Sequence, residues 1–395
     1  MPQVLAARNA VGVSFFVNGA TFATWVARLP EIRHRLDLTN GELGLVLLAG
    51  SVASIISLTT AGAVIERRGA ADTVRVGLGF SMLGLVGVSL GAVVADSAVA
   101  VAGALFVWGL GMGLWDVAMN VEAAGVEHRL ERNIMPRFHA MFSLGTVAGA
   151  GVGALTARLD VPMLVVFPVA AALFVTAVLT TTGAFLPREI EEVEHAPRGT
   201  VLAAWREPRT LLIGFMVLAL ALTEGAANDW LAIGLVDGYD VAAWMGVAGY
   251  AVFVSAMTTG RLLGTGLLDR FGRVATLWGT MALAAAGVLL VVYGEHPVLV
   301  VGGIVLWGVG ASLGFPVGMS AAADDPRRAP ARVSVVSTIG YVAFLTGPPI
   351  LGFIGDHVGA LHALLLISLL LVPAALLVPA ARKVEPAAEE PVTGR

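Results

Sequence analysis

The stretch SAVAVAGALFVWGLGMGLW, residues 97–115, contains nineteen residues without a formal charge. A helix that crosses a bilayer needs about 20 mostly apolar residues, so this stretch has the length of a membrane span. The residues DVAMNVE follow directly and place Asp116, Asn120 and Glu122 within seven positions. The sequence therefore predicts a membrane helix with polar groups near its centre, and ionisable groups at that depth mark functional sites.

The composition extends this prediction to the whole chain. Of 395 residues, 57% are hydrophobic and only 13% are charged, and the mean hydropathy is +0.85. Soluble domains carry about 25% charged residues, so a bilayer is the better solvent match. The net charge of −4 gives no indication of nucleic-acid binding. Because the chain has no cysteine, disulfides and thiolate metal sites are excluded.

Twelve apolar runs are long enough to span a bilayer. Each should be helical, because lipid offers no hydrogen-bond partner to the backbone. The 48 glycines fit this interpretation, since small residues let membrane helices approach closely. The expected spans are approximately 11–28, 41–64, 74–95, 99–125, 136–157, 161–186, 210–228, 242–268, 275–293, 298–319, 333–354 and 360–379.

The basic residues predict the orientation of these spans. If both termini are cytoplasmic, 19 of the 24 basic residues lie inside and Arg261 lies within a span. Cytoplasmic loops of membrane proteins carry such an excess of basic residues. We therefore expect a multi-pass protein with both termini in the cytoplasm. The basic residues left outside are Arg28, Arg33, Arg35 and Arg158.

Two short motifs recur at nearly one offset. ERRG at 66–69 and DRFG at 269–272 are 203 residues apart, and WGLG at 108–111 and WGVG at 307–310 are 199 apart. Such an internal repeat predicts a transporter made of two six-helix halves related by pseudo-two-fold symmetry, with a binding site between them. The expected division is 1–186 for the N-terminal half, 187–209 for a cytoplasmic linker, 210–380 for the C-terminal half and 381–395 for a disordered cytoplasmic tail.

The stretch GAVIERRG, residues 62–69, resembles the signature G-x-x-x-[DE]-R-x-G of the major facilitator superfamily. The second half repeats it as TGLLDRFG, residues 265–272, with Thr265 at the place of the first glycine. The resemblance covers essentially the whole chain apart from the linker and tail. It implies an all-α membrane protein with 12 transmembrane helices that works by alternating access.

Two further stretches are similar to the fucose-permease-like branch of bacterial sugar/proton symporters. GMGLWDVAMNV, residues 111–121, resembles its acid–x–Ala–x–Asn pattern in span four, and LPEIRHRLDLTNGELG, residues 29–44, resembles its extension from span one into span two. The resemblance implies proton-coupled uptake of a sugar-like solute across the bacterial cytoplasmic membrane, with the span-four acid at Asp116. The other coupling acid of the branch would fall on Val26, so this chain lacks that carboxylate.

The polar residues within the spans are the candidates for proton coupling and substrate binding. Asp116 and Asn120 are four residues apart and share a helix face. A charge near the bilayer centre costs about 2.5–3.5 kcal/mol, so Asp116 should face a water-accessible path. A static ion pair with Arg261 is the alternative. Glu224 and Asn228 repeat the same spacing in span seven, either at the central path or at a polar extracellular helix end.

The remaining candidates fall into three groups. His139 titrates near neutral pH, so it is a candidate for proton coupling or a hydrogen-bonding spacer. The candidates for the cavity wall, which stack on a solute or pack the core, are Asn18, Trp25, Trp115, Trp307 and Tyr341. The gating candidates, in turns whose carboxylate would cap the N-terminus of a neighbouring helix, are Gly62, Glu66, Arg67, Gly69, Asp269, Arg270 and Gly272.

Three classes of function remain open. The first is a proton-coupled importer of a small polar solute, and the second is a proton-driven exporter of amphipathic or toxic molecules. GTVAGAGVG, residues 145–153, weakly resembles an antiporter motif but lacks its proline. The third class, a static membrane protein, has no need of two gating turns. We expect no enzymatic activity, cofactor or metal, and a functional monomer that binds its solute and protons. The substrate, the direction and the stoichiometry stay open.

Overall fold

The computed structural model describes residues 2–130, 134–186, 202–325 and 328–383. Within these ranges all regular secondary structure is helical, because backbone groups in lipid need internal partners. We call the described residues up to 186 the N-terminal half and those from 202 the C-terminal half. The N-terminal half contains α1 (Pro2–Val26), α2 (Leu29–Arg35), α3 (Asn40–Arg68), α4 (Ala70–Val93), α5 (Ala98–Leu130), α6 (Met135–Arg158) and α7 (Met163–Thr182). The C-terminal half contains α8 (Pro208–Ala226), a π-helical turn (Ala227–Leu231), α9 (Ala232–Tyr239), α10 (Ala243–Tyr293), α11 (Pro297–Ala311), α12 (Gly314–Ala322), α13 (Ala329–Val358), α14 (Ala360–Ala363), α15 (Leu365–Leu377) and a 3-10 turn (Val378–Ala381).

Eleven helical stretches of the described residues are long and apolar enough to cross a membrane. They correspond to eleven of the twelve expected spans. The expected eighth span, 242–268, is not among them and forms the first arm of α10. Gly272, with φ 72°, separates the two arms of α10 at the expected boundary between spans eight and nine. The all-helical membrane architecture is confirmed, whereas the count of twelve remains a prediction. Residues 187–201 of the expected linker and 384–395 of the expected tail lie outside the described residues.

Span seven is longer than the sequence predicts. Its expected end was Asn228, but the helix continues through the π-helical turn at Ala227–Leu231 to Tyr239. The expected end was wrong because polar residues were interpreted as a helix end, whereas a π-helical turn accommodates them within the helix. Glu224 and Asp229 therefore lie inside the span and not at a polar extracellular end.

Glycines bring the backbones of neighbouring helices into contact within each half. A Cβ placed on Gly145 of α6 would lie 1.9 Å from the Phe16 oxygen of α1, and one on Gly149 would lie 2.7 Å from the Ala20 oxygen. A Cβ on Gly310 of α11 would lie 2.3 Å from the backbone of α10. These distances leave no room for a side chain, which is the usual role of small residues between membrane helices. The glycine spacing of GTVAGAGVG thus packs α6 against α1.

The two halves meet where α3 packs on α13 and α6 packs on α10. We call the face with the loop between α1 and α3 the loop side, and the face where α1 begins and α15 ends the termini side. On the loop side, Arg33 forms an ion pair with Asp237 of the other half. The Arg158 guanidinium also lies there, 5.1 Å from the centroid of the Trp244 ring. The loop side of the interface between the halves is therefore closed.

Candidate functional site

Asp116 lies near the middle of the 33-residue helix α5, as the uncharged run before it predicts. Trp115 fixes this turn against α1, because its indole N–H donates to Ser14 Oγ at 2.8 Å. Asn120 donates to the Asp116 backbone oxygen at 2.9 Å and lies 3.4 Å from Asp116 Oδ1. The Asp116 side chain is half-buried, and no cation among the described residues pairs with its carboxylate. The site thus holds an acid without a counter-charge at the centre of a membrane helix.

Tyr341 brings a phenol of the C-terminal half within electrostatic range of this acid. It lies on α13 and is half-buried. Its ring centroid is 6.3 Å from that of Phe315 and 6.4 Å from that of Phe344. The two halves together offer an acid, an amide, a phenol and aromatic surface, which suits a solute with hydroxyl groups and an apolar face.

Arg261 pairs with Glu224 and not with Asp116. Its Nη2 donates to Glu224 Oε2 at 2.9 Å, and its Nε donates to the Ser312 backbone oxygen at 3.3 Å. The side chains of Arg261 and Glu224 are 27% and 19% exposed, so the pair borders open space. His139 of the N-terminal half is exposed and lies within electrostatic range of Arg261. The ion pair neutralises Arg261, so Arg261 is not the counter-charge of Asp116 in this structure.

The π-helical turn of span seven carries a second polar group. Tyr250 of α10 donates through its hydroxyl to Asn228 Oδ1 at 3.2 Å, and Asn228 is 9% exposed. Asp229 is half-buried and within electrostatic range of Tyr250. In the part of the chain that the structure describes, nothing hydrogen-bonds or ion-pairs with the Asp229 carboxylate. Asp229 is therefore a second membrane acid without a counter-charge among the described residues, and it is not one of the sequence-based candidates.

The other candidates for the cavity wall pack inside the helix bundle in this conformation. Trp115 and Trp307 have no exposed surface, and Trp25 is 3% exposed. The Trp307 indole donates to a backbone oxygen of α8 at 3.1 Å. Asn18 is 1% exposed, with its amide nitrogen 3.9 Å from the sulfur of Met112. Contact of these side chains with a solute would require another conformation.

The two predicted gating turns lie on the termini side. Gly69 and Gly272 have φ of 80° and 72°, in the left-handed region where glycine is favoured. Nothing lies within 4 Å of a Cβ placed on Gly62, so helix contact does not require this glycine here. The gating role of these turns remains a prediction. The charged gating candidates exposed at the two turns are Glu66, Arg67, Asp269 and Arg270.

One acid that joins the two halves is missing from the sequence-based set. Asp356 Oδ1 of α13 accepts from the Asn40 backbone N–H at 2.7 Å, and Oδ2 accepts from the Gly41 N–H at 2.9 Å. Both donors belong to the first turn of α3, on the loop side. The sequence carried a signal for this acid, because it precedes Gly359 by three residues, as the acids of the gating turns precede their glycines.

On the termini side, a cluster of ion pairs around Asp324 joins helices of the C-terminal half. Asp324, after α12, accepts from Arg273 at 2.6 Å and from Arg209 at 2.8 Å, and its side chain is 7% exposed. Burial alone would raise the pKa of Asp324, but the hydrogen bonds from Arg273 and Arg209 outweigh it and hold that pKa below its ordinary value. Asp324 is therefore a structural group that stays ionised.

Comparison with known proteins places these features in a family. The family model of the Major Facilitator Superfamily matches residues 241–395. An uncharacterized MFS-type transporter of Yersinia pestis is 30% identical over 365 residues, which is 92% of each chain. The uncharacterized transporter y4wD of Sinorhizobium fredii is 32% identical over 361 residues, 90% of this chain and 93% of the relative.

Solved structures show the same fold at low sequence identity. A variant of the nucleoside transporter NupG is 14% identical, with a TM-score of 0.79 over 95% of this chain and 99% of that chain. A variant of the E. coli fucose:proton symporter FucP is 15% identical, with a TM-score of 0.67 over 95% and 98%. These relatives and folds are of transporters and not of enzymes. The chain belongs to the major facilitator superfamily of membrane transporters.

Proposed function

We propose that this protein is a secondary active transporter that moves a small, polar, sugar-like solute across the bacterial cytoplasmic membrane, coupled to protons. One observation carries the proposal: both halves contribute to a polar cluster around Asp116, which has no counter-charge. A carboxylate without a partner in the membrane is costly, and binding a proton removes that cost. Asp116 would therefore take up a proton in one conformation and release it in the other.

The orientation follows from the basic residues. We infer twelve spans, with both termini in the cytoplasm and the halves divided at 1–186 and 210–380. The loop side then faces outward, and the structure represents the inward-facing state. The contacts between the halves on the loop side support this inference, as does the exposure of Glu66 and Asp269 on the termini side. The functional unit in this proposal is a monomer.

The side chains around Asp116 have separate tasks in this proposal. Asn120 and the Tyr341 hydroxyl would bind solute hydroxyl groups, while the surrounding aromatic rings would cover its apolar face. The partly exposed pair of Arg261 and Glu224 would orient the solute through polar contacts. His139 would respond to the charge of Arg261. Alternating access would expose this cluster to each side in turn.

Export of amphipathic molecules has no structural observation in its favour. Its sequence signal was the glycine spacing at 145–153, and the contacts of Gly145 and Gly149 with α1 account for that spacing by packing alone. The importer is therefore the function that the geometry supports best. Accumulation of the solute in oriented vesicles measures the direction of transport.

The first experiment is a thermal-shift screen of the purified protein at pH 5.5 and pH 7.5 with neutral sugars, nucleosides, sugar acids and amphipathic cations. A ligand that binds only the folded state raises the melting temperature. We expect a neutral polar solute to raise the melting temperature, and the size of this increase should depend on pH. The hit is then tested for uptake into proteoliposomes under an imposed pH gradient. Stabilisation by amphipathic cations alone would contradict the proposal and favour export.

A further inference from the structure

The chain contains a third copy of the gating turn, at the opposite face of the molecule. GFIGDHVG, residues 352–359, has the same G-x-x-x-acid-x-x-G spacing as GAVIERRG at 62–69. Its last glycine, Gly359, has φ 86°, close to the 80° of Gly69 and the 72° of Gly272. These are the positive-φ glycines of the described ranges, so each such glycine ends one copy of the turn. The three turns therefore share the acid-x-x-Gly spacing and the backbone conformation of the final glycine.

The acid of the third copy caps a helix of the other half. Asp356 accepts from the backbone N–H groups of Asn40 and Gly41, the first two residues of α3. Thr39 and Glu42 form a capping box that satisfies the next N–H of α3 from within the N-terminal half. Two of the N–H groups that every helix start leaves unpaired are thus reserved for a carboxylate from the C-terminal half. The positive end of the helix dipole adds to this attraction.

Glycines let the two backbones touch beside this contact. A Cβ on Gly352 would lie 2.4 Å from the Asn40 oxygen, and one on Gly44 would lie 2.7 Å from the Pro348 oxygen. Glycine is therefore needed on both sides of the interface for α3 and α13 to approach this closely. Ser51, three turns into α3, donates to the Phe344 oxygen at 3.0 Å and extends the contact towards the centre.

We propose that the Asp356 turn is the latch that holds the loop side shut and must release before that side opens. The proposal rests on the alternating access proposed above, and it adds this acid to the Arg33–Asp237 ion pair among the contacts that close the loop side. Asp356 is exposed to solvent, so water can replace its two hydrogen bonds when the halves separate. Such a contact biases the equilibrium between the two states without preventing exchange.

The chain offers a direct test because it has no native cysteine. Ser51→Cys places a thiol in the interface below the latch. Its labelling by a membrane-impermeant maleimide, added to the loop side of oriented proteoliposomes, reports opening of that side. Asp356→Ala should raise the labelling rate about tenfold or more, because charge-assisted hydrogen bonds are lost. Asp356→Asn, which keeps one acceptor oxygen, should give a smaller increase.

The matched control is Asp96→Asn. Asp96 is an exposed acid on the same face, in the loop between α4 and α5 of one half, and it should leave the labelling rate unchanged. Equal rates in the parent and Asp356→Ala, with unchanged melting temperatures and full labelling after denaturation, would overturn the latch. The readout needs no solute. A wrong substrate or a missing proton would therefore fail the uptake assay while leaving this result intact.

Discussion

At the scale of single residues, depth in the membrane could be predicted from the sequence but pairing could not. The uncharged run of 97–115 placed Asp116 at mid-helix, and the structure agrees. A pair of Arg261 with Asp116 stayed open, because similar depth allows that contact without requiring it, and the structure pairs Arg261 with Glu224 instead. Which acid it meets depends on the rotation of α8 and α10 about their axes, and that rotation is fixed by packing between helices.

Asp116→Asn should abolish accumulation of solute driven by a pH gradient. The amide keeps the size and hydrogen-bonding capacity of the side chain but binds no proton, so coupling is lost while folding is kept. Uptake and solute exchange without a gradient are measured in proteoliposomes, and exchange should persist. Asp160→Asn, an exposed loop position with φ 49° that asparagine tolerates, is the control. Full gradient-driven accumulation in Asp116→Asn would remove Asp116 from the coupling mechanism.

The ion pair of Arg261 with Glu224 should behave as a unit. Glu224→Gln or Arg261→Gln alone leaves one charge unpaired in the membrane and should lower the free energy of unfolding by about 1–3 kcal/mol. This loss is smaller than the roughly 3–5 kcal/mol for a buried pair, because both groups are partly exposed. The double variant should melt closer to the parent than either single variant. A double-mutant cycle from melting curves measures this coupling.

A second cycle gives the reference for an exposed pair. Arg75 Nη1 lies 2.7 Å from Asp72 Oδ1, and the two side chains are 39% and 57% exposed. The coupling free energy of this pair should be close to zero. Additive losses at Arg261 and Glu224 would show that this contact contributes no more than the surface pair. In that case the polar cluster would lack the neutralised arginine on which the proposed role of Asp116 depends.

At the scale of helices, the apolar runs of the sequence predicted the approximate bounds of the spans. The irregular turn inside span seven was missed. ANDW was taken as the end of span seven, because polar residues ordinarily mark a helix end. The π-helical turn at Ala227–Leu231 instead keeps Asn228 and Asp229 inside the span. The third glycine turn was missed for a different reason. Its acid is followed by His357, whereas the family signature has an arginine after the acid.

The contact of Asp324 with Arg209 and Arg273 ties α8, the second arm of α10 and the end of α12 together. Asp324→Asn should lower the melting temperature by a few degrees at pH 7, equivalent to about 1–3 kcal/mol for hydrogen bonds to a charged group. The pKa of Asp324 is lowered in the folded state. Its contribution is therefore complete above the ordinary aspartate value of about 4 and is lost as the pH falls below it.

Melting curves of the parent and Asp324→Asn between pH 8 and pH 3.5 test this sign. The difference between the two proteins should be constant down to about pH 4.5 and shrink only below about pH 4. A difference that already shrinks near neutral pH would mean that the carboxyl is protonated more readily than its two arginine partners allow.

At the scale of the molecule, the repeat in the sequence predicts two halves, and this division stays a prediction, whereas the fold itself is shared with solved transporters. The conformation could not be predicted, because the same sequence must stabilise two states of similar free energy. Contacts such as Arg33 with Asp237 belong to only one of those states. Sequence patterns report what every state shares, which is the apolar length of spans and the glycines between them.

The two halves should move as bodies about the central site, so fixing the loop side should stop transport. Gly355 lies beside the latch, and a Cβ placed there is 3.3 Å from the Asn40 Cβ, close to the separation in a disulfide. Oxidation of the double variant Asn40→Cys, Gly355→Cys should abolish uptake, and reduction should restore it. Each single variant should be insensitive to the oxidant. Undiminished uptake by the oxidised, cross-linked protein would contradict alternating access, since the solute would then cross while the loop side remains closed.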